Sequence, residues 1–355
     1  MKSKRSLMKF LRYLGQSNEE EGSSAEEGLD MTFPEFLHSR FQVPSDLFDP
    51  LRSLSLSPYP LSQTTAGYAL PKIKRHLQSI GVFGPGFSSV LAKWGGGSEI
   101  AQVACRACAV GGGVYALSRG IKSVETPKQH PLDGNVDLLN VHLSNGESVR
   151  TRFVVGSAWD ILADAQEAIF SASTKVSRSV MIVSSPLESL FPPTSDNGPV
   201  AAGTIVVVPG REIVKGDGID EPPLYLLLHS SDTGECPSGQ CVIYGSVLQQ
   251  PDQGQPRIDA AVKQLLKAAD PGSEILWKMQ FTHLGYLGSE GLSKDKFARK
   301  SSQILLLPPP CLDIEFNDCM IDQVRHVWKE LMGADADDKH FLVFEDREAS
   351  EEPDS

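Results

Sequence analysis

The sequence predicts an α/β fold, with mixed sheets and helices forming one body and an all-helical domain preceding it. Three observations predict this. The first eighty or so residues carry helix signals only, with apolar residues at helical spacing and identifiable caps. After Gly86 short helices alternate with β-branched runs. Within that stretch Asn145-Gly146 separates two such runs and marks a hairpin, because both residues tolerate positive φ. A chain of 355 residues suits about two domains at ~150 residues each. The expected division is a partial helical domain over 1–86, an α/β domain over 87–340 and an acidic disordered tail over 341–355.

Taken in order, Leu7, Phe10, Leu11 and Leu14 fall at i, i+3, i+4 and i+7, which predicts a helix from Ser3 to Leu14 with one apolar stripe. Thr32 and Glu35 form a capping box, and Phe33-Pro34 places proline in the first turn of a short helix ending near Arg40. Pro44-Ser45-Asp46 starts another, through Leu47, Phe48 and Leu51. A fourth runs from about Leu70 to Ile80, with Gly81 just past its end. Ser98 is the expected N-cap of a helix from Glu99 to about Ala109, followed by three glycines and a strand, Val114-Tyr115-Ala116-Leu117. Beyond it, strands are expected at Val136–Leu143, Val149–Val155, Val176–Val183, Thr204–Val208, Leu224–His229, Cys241–Val247, Ile275–Phe281 and Gln303–Leu307. Ile258–Ala269 and Met320–Met332 complete the helices.

Charge narrows the function classes. A net charge of −12 argues against a nucleic-acid partner, which requires a dominant basic surface. Part of it lies in runs at Glu19–Glu21, Glu26–Glu27 and Glu345–Asp354, expected to be solvated and disordered. No stretch reaches the ~18–20 apolar residues that cross a bilayer. Lys9 and Arg12 interrupt the apolar residues after the basic N-terminus, so no secretory core forms there. Six cysteines scattered over a chain this long fit a reducing compartment, so the cytosol is expected.

Catalytic patterns are thin. Gly81-Val82-Phe83-Gly84-Pro85-Gly86 superficially suggests a phosphate loop, but it does not join a strand to a helix, and proline replaces an amide donor. Cys105-x-x-Cys108 lacks the second ligand pair of a zinc site. Its alanine-rich surroundings predict small, buried, inert thiols at a close helix contact. Cys236 and Cys241 bracket a Pro-Ser-Gly turn. His76, His229, His283 and His326 read as ordinary core or surface histidines, and no nucleophile elbow, zincin motif or Walker loop is present. No metal site and no cofactor are expected.

The informative segment runs from Trp94 to Leu117. Glu99, Gln102 and Arg106 stand at i, i+3 and i+7 and share one helical face. The other positions are small or apolar, so the helix is expected to bury them and present three polar groups at fixed geometry. Periodicity alone leaves an ordinary solvated stripe as the competing reading.

Glu99-Ile100-Ala101-Gln102-Val103-Ala104-Cys105-Arg106-Ala107-Cys108-Ala109-Val110-Gly111-Gly112-Gly113-Val114-Tyr115 resembles the segment G-E-I-P-Q-G-F-C-R-M-C-A-V-F-G-G-I-Y of the Rab escort protein and Rab GDP-dissociation inhibitor family. The C-R-x-C-A-V form is similar to the escort branch, in a fungal-like version. Arg5-Ser6-Leu7-Met8-Lys9-Phe10-Leu11 resembles the family's helical R-x-L-M-K-F-L. The likeness is marked over residues 3–14 and 94–120 and continues weakly to about Met332.

The resemblance implies a remnant of a dinucleotide-binding-like (FAD/NAD-linked) domain. It also implies a non-catalytic accessory role: binding GDP-bound Rab GTPases and presenting them to the Rab geranylgeranyl transferase heterodimer for prenylation, with transient membrane association. Carried over residue by residue, the Rab-gripping platform is Glu99, Gln102, Arg106, Val114 and Ala116. Phe10 and Tyr13 become candidates for transferase or prenyl-lipid contact, with core packing the alternative for the Phe10 stripe.

The chain departs from the family pattern in three places. The opening strand and glycine-rich turn are missing, and with them the early helical domain, so an N-terminally shortened chain is expected. Ala101 and Val103 stand where proline and glycine flank the gripping glutamine, and Pro308-Pro309-Pro310-Cys311-Leu312-Asp313 replaces a glycine-rich segment. The alternatives are an inhibitor that recycles prenylated Rab and, from another class, a flavin-dependent oxidoreductase.

Overall fold

The computed structural model describes residues 2–15, 28–126, 138–161, 173–194, 196, 198–210, 220–287, 298–307, 309–315 and 319–343. The three acidic runs, Pro308 and the ends of some expected strands lie outside these residues.

The N-terminal helices follow their local signals. Helix α1 (Lys2–Gly15) buries Phe10 and Leu14 from its stripe. Helix α2 (Phe33–Phe41) starts at a complete capping box. Thr32 Oγ1 accepts from the Glu35 amide at 3.4 Å, and the Glu35 carboxylate accepts from the Thr32 amide at 3.2 Å. A 3₁₀ turn (Ser45–Leu47) leads into α3 (Phe48–Ser53). Helix α4 (Ala66–Ser79) is capped by Thr65, whose hydroxyl accepts from the Tyr68 amide, and Gly81 follows at φ 88°. Phe10, Phe33, Phe36, Leu37 and Ile73 meet in one fully buried core.

Helix α5 (Gly97–Val110) comes next. Its N-cap is Gly96 rather than Ser98, which sits inside the first turn and donates its hydroxyl to the Gly95 carbonyl at 2.7 Å. The expected strand Val114–Leu117 does not form; those residues are irregular. Strand β1 (Ile121–Glu125) forms instead, where no strand was expected, and pairs antiparallel with β2 (Leu139–Leu143). The hairpin to β3 (Ser148–Thr151) is as expected, with Gly146 at φ 90°. Strand β4 (Val154–Ser157) passes directly into a short helix, α6 (Ala158–Ile161).

Strands β5 (Thr174–Val183), β6 (Gly203–Val208), β7 (Leu224–Ser230) and β8 (Cys241–Val247) precede helix α7 (Pro251–Ala269). Strand β9 (Ile275–Gly285) completes an antiparallel sheet of order β6-β7-β8-β5-β9. Against it α7 lays Ile258, Ala261, Val262 and Leu266, which close over Met181, Leu226 and Ile243. Strand β10 (Ala298–Ser301) pairs antiparallel with β11 (Ile304–Leu307), which runs parallel to β4, so this sheet is mixed. Helix α8 (Cys319–Met332) follows.

Two compact units result. One comprises Met1–Ala116, Ser173–Gly288 and Leu312–Glu315; the other Leu117–Ala172, Ser289–Cys311 and Phe316–Ser355. In the first, Lys72 of α4 is ion-paired with Asp313 at 3.0 Å and with Glu315. The second is built around Leu139, Val141, Val154, Ile161, Ile304 and Leu306. The fold class is as expected: α/β, with mixed sheets and an all-helical region.

Candidate functional site

Helix α5 buries none of its residues. The expectation that its small and apolar side would be covered, with Cys105 and Cys108 inert inside, is therefore overturned: both cysteines are exposed. The physical reason lies just downstream. Residues 114–117 join no sheet, and among the described residues no apolar surface covers α5.

What fixes α5 is its N-terminal end. Trp94 adopts a left-handed backbone, φ 76°, and its amide donates to the Thr233 carbonyl at 2.7 Å. The indole lies on Gly234 in the β7–β8 turn, so close that a Cβ at Gly234 would stand 2.5 Å from Cε3. Gly96 meets the same turn at Glu235: a Cβ there would stand 3.2 Å from Oε1. Glu235 is itself held by two partners, His229 Nδ1 at 2.7 Å and the Tyr244 hydroxyl at 3.1 Å from the same oxygen. Burial, and then the Glu235 carboxylate, push the Tyr244 phenol up. Sequence reasoning passed over this cluster. His229 carried no signal of its own, and its partners are assembled by strand pairing and the turn.

From this anchor α5 projects the expected row. Glu99 is partly exposed, Gln102 and Arg106 are exposed, and Gln102 Nε2 reaches Glu99 Oε1 at 3.5 Å, the limit of a hydrogen bond. Ala116 is exposed and Val114 is 91% exposed. The five residues expected to form the platform thus lie on one solvent-facing stretch, Val114 and Ala116 on irregular chain instead of a strand. Ile100, Val103, Val110 and Tyr115 are exposed around them. A carboxylate, an amide and a guanidinium in a row, flanked by apolar side chains, suit a protein surface better than a small molecule. The neighbouring Cys108 and Cys105 thiols push the Tyr115 phenol up.

Phe10 and Tyr13 are placed elsewhere. Phe10 is wholly buried against Phe33 and Phe41, with ring centroids 6.2 and 5.5 Å away. Tyr13 is partly buried between Phe36 and Phe41. Both occupy packing positions. The Gly81–Gly86 loop is tied down at its end, where Thr194 Oγ1 donates to the Pro85 carbonyl at 2.9 Å.

No protein-family model matches the chain. It is 27% identical over 278 residues to Rab proteins geranylgeranyltransferase component A of Saccharomyces cerevisiae, covering 77% of this chain and 42% of that protein. It is 25% identical over 260 residues to component A of Candida albicans, covering 72% and 38%. A shorter match, 32% over 130 residues, reaches component A 1 of Rattus norvegicus, covering 36% of this chain and 19% of that protein. The chain thus spans about two-fifths of the length of its yeast relatives. Among solved structures, a Rab GDI from Plasmodium falciparum superposes with a TM-score of 0.56 at 15% identity, covering 94% of this chain and 67% of that one. The component A proteins are homologues of this chain, and its fold is that of a Rab GDI.

Proposed function

We propose that this chain is the Rab-binding part of an escort-type protein and that α5 with residues 114–116 is its docking face for a GDP-bound Rab GTPase. The observation that carries the proposal is the placement of Glu99, Gln102, Arg106, Val114 and Ala116 on one exposed stretch whose start is anchored at Trp94. The named relatives supply the partner class. A helix bearing both charge signs orients a partner by electrostatic complementarity, and its exposed apolar residues supply the area to bury. The role is accessory: the geranylgeranyl transferase heterodimer carries the chemistry, and this chain holds the substrate in the cytosol with transient membrane contact. Residues 1–86 are the helical portion, where a prenyl lipid or the transferase would dock. Phe10 belongs to its core, which leaves Tyr13 the more accessible of the two contact candidates.

The test is titration of the chain with a GDP-loaded, fluorescently labelled Rab, with and without Arg106→Glu. Reversal of that charge is expected to weaken binding at least about tenfold, ~1.4 kcal/mol, with an unchanged circular dichroism spectrum. Equal affinity of the two proteins overturns the platform. The fold likeness to a Rab GDI favours one second reading, a recycler of prenylated Rab. Comparable affinity for unprenylated and prenylated Rab supports the escort; strong preference for the prenylated form supports the recycler.

A further inference from the structure

Strand β9 is an edge of the five-stranded sheet, last in the order β6-β7-β8-β5-β9, and among the described residues its outer side pairs with no strand. Its residues from Ile275 to Phe281 are all exposed. Folded chains ordinarily blunt such an edge with proline, a free charge, a bulge or a covering segment. This stretch has no proline, and its one charge, Lys278, is ion-paired with Asp259 of α7 at 3.0 Å. The irregularity in its pairing with β5 lies at the start, beside Ile275, which leaves Trp277–Gly285 in regular register. The other edge is better covered. Most of β6 is half-buried, and Leu91 lies against Gly203, where a Cβ would stand 2.7 Å from Cδ1.

Side chains alternate along the strand. Lys278 and Gln280 turn towards α7, reaching Asp259 at 3.0 and 3.1 Å. Trp277, Met279 and Phe281 therefore share the opposite face. A second β9 running antiparallel about a two-fold axis complements this pattern. With the axis at Met279, that residue opposes its own copy, and Trp277 opposes Phe281 of the second copy on either side of it. Cross-strand aromatic pairs of this kind stabilise a sheet. On the α7 face Lys278 then opposes Gln280. An axis at Lys278 would instead set two lysines opposite each other, which is unfavourable. The contact is isologous, so it closes at two chains.

The exposed area is sufficient for a weak dimer. Ile275, Leu276, Trp277, Met279 and Phe281 are each 36–52% exposed. Aromatic side chains present ~150–250 Å², so each of the five leaves on the order of 100 Å² bare, and two copies offer about 1,000 Å², the lower bound of a specific interface.

We propose that β9 is a self-association edge, through which two copies of this chain pair antiparallel about Met279 and join their sheets into one. The proposal does not depend on the GTPase-docking reading. Its test is sedimentation velocity of the full chain from about 1 to about 100 μM, where the mass is expected to move from one chain to two. Met279→Lys sets two charges opposite each other and is expected to raise the dissociation constant at least about tenfold, with an unchanged circular dichroism spectrum. Val82→Lys, on an exposed turn, is expected to leave the constant unchanged. Under mild oxidation Met279→Cys is expected to join to its own copy, because directly opposed Cβ atoms stand about 4.5–5.5 Å apart. Trypsin cleaves after Lys278, so the joined peptide is distinct from any bond through the exposed Cys105 or Cys108. Thr282→Cys, about 20 Å from its copy in this register, is expected not to join. A single-chain mass at every concentration overturns the proposal and leaves the edge to a strand of another protein. So does a dimer that Met279→Lys leaves intact, or one in which Met279→Cys does not join to itself.

Discussion

The indole of Trp94 rests on the backbone of Gly234, with room for no side chain between them. This relationship joins the start of α5 to the turn between β7 and β8, and through Glu235 to His229 and Tyr244. The sheet therefore holds one end of the helix, while its remaining turns stand in solvent. A helix fixed at one end and bare along its length can present side chains at defined positions without burying them.

Substituting Gly234→Ala should break the anchor. Gly234 sits at φ 80°, where an L-residue costs roughly 1–2 kcal/mol, and the added methyl also strikes the indole. The expected result is displacement of Trp94 with the sheet intact. Amide exchange at Trp94, which now bonds the Thr233 carbonyl, should accelerate at least about tenfold, while exchange in β7 and β8 stays slow. Unchanged protection of the Trp94 amide would show that the ring contact is dispensable.

The seat of α7 on its sheet offers a case where two effects oppose. Gly254→Ala gains about 1 kcal/mol of helix propensity. Yet the new Cβ would stand 2.6 Å from Ser177 Cβ and 3.1 Å from Val247 Cγ1, both close to backbone. Overpacking of that kind costs about 1–3 kcal/mol, so the clash should win and lower the urea midpoint by about 1 kcal/mol of stability. Gly97→Ala is the control, with nothing within 4 Å and a first-turn helical position. It should leave the midpoint unchanged or raise it.

These outcomes separate what was legible in the sequence from what was not. Thr32 with Glu35, Asn145 with Gly146, and the apolar runs of β7 and β8 are local signals, and each produced its element. Helix α7 begins at Pro251, ahead of the expected Ile258, because Pro256 inside it reads as a breaker. Val114–Leu117 has strand chemistry, but a strand needs a partner edge, and pairing is a tertiary event. The exposure of Cys105 and Cys108 follows from that same missing partner. The Trp94 anchor was hidden twice: a left-handed tryptophan has no sequence signature, and Gly234 looks like any turn glycine.

A pH dependence is expected from His283 on β9, paired with Val176 of β5. Burial, and then the Arg178 guanidinium, hold its imidazole below the ordinary value of 6.5. The folded state therefore resists protonation more than the unfolded chain does. Above the unfolded value both states are neutral, and this contribution to stability is fully present. As pH falls below about 6.5 the unfolded chain takes up the proton first, and stability is lost until the folded value is passed. Thermal midpoints measured from pH 8 to pH 5 should fall on the acid side, and His283→Gln should flatten that part of the curve. A curve unaltered by the substitution would assign the slope to other groups.

Asp49 and Arg52 in the helical region are both buried. Arg52 Nη2 meets Asp49 Oδ1 at 3.0 Å, and Nη1 donates to the Tyr59 carbonyl at 3.3 Å. Removing one member of a buried ion pair costs about 3–5 kcal/mol, because the other charge stays behind. Asp49→Ala should fall at the low end of that range, since the Tyr59 carbonyl still receives the guanidinium. Arg52→Met keeps the apolar stem and removes the charge. Combined with Asp49→Ala it should recover part of the loss, leaving the double variant more stable than Asp49→Ala alone. Urea unfolding of the four proteins of this cycle gives the coupling directly. Additive losses would mean that the carboxylate contributes nothing specific to holding Arg52, and that the Tyr59 carbonyl and the surrounding packing suffice.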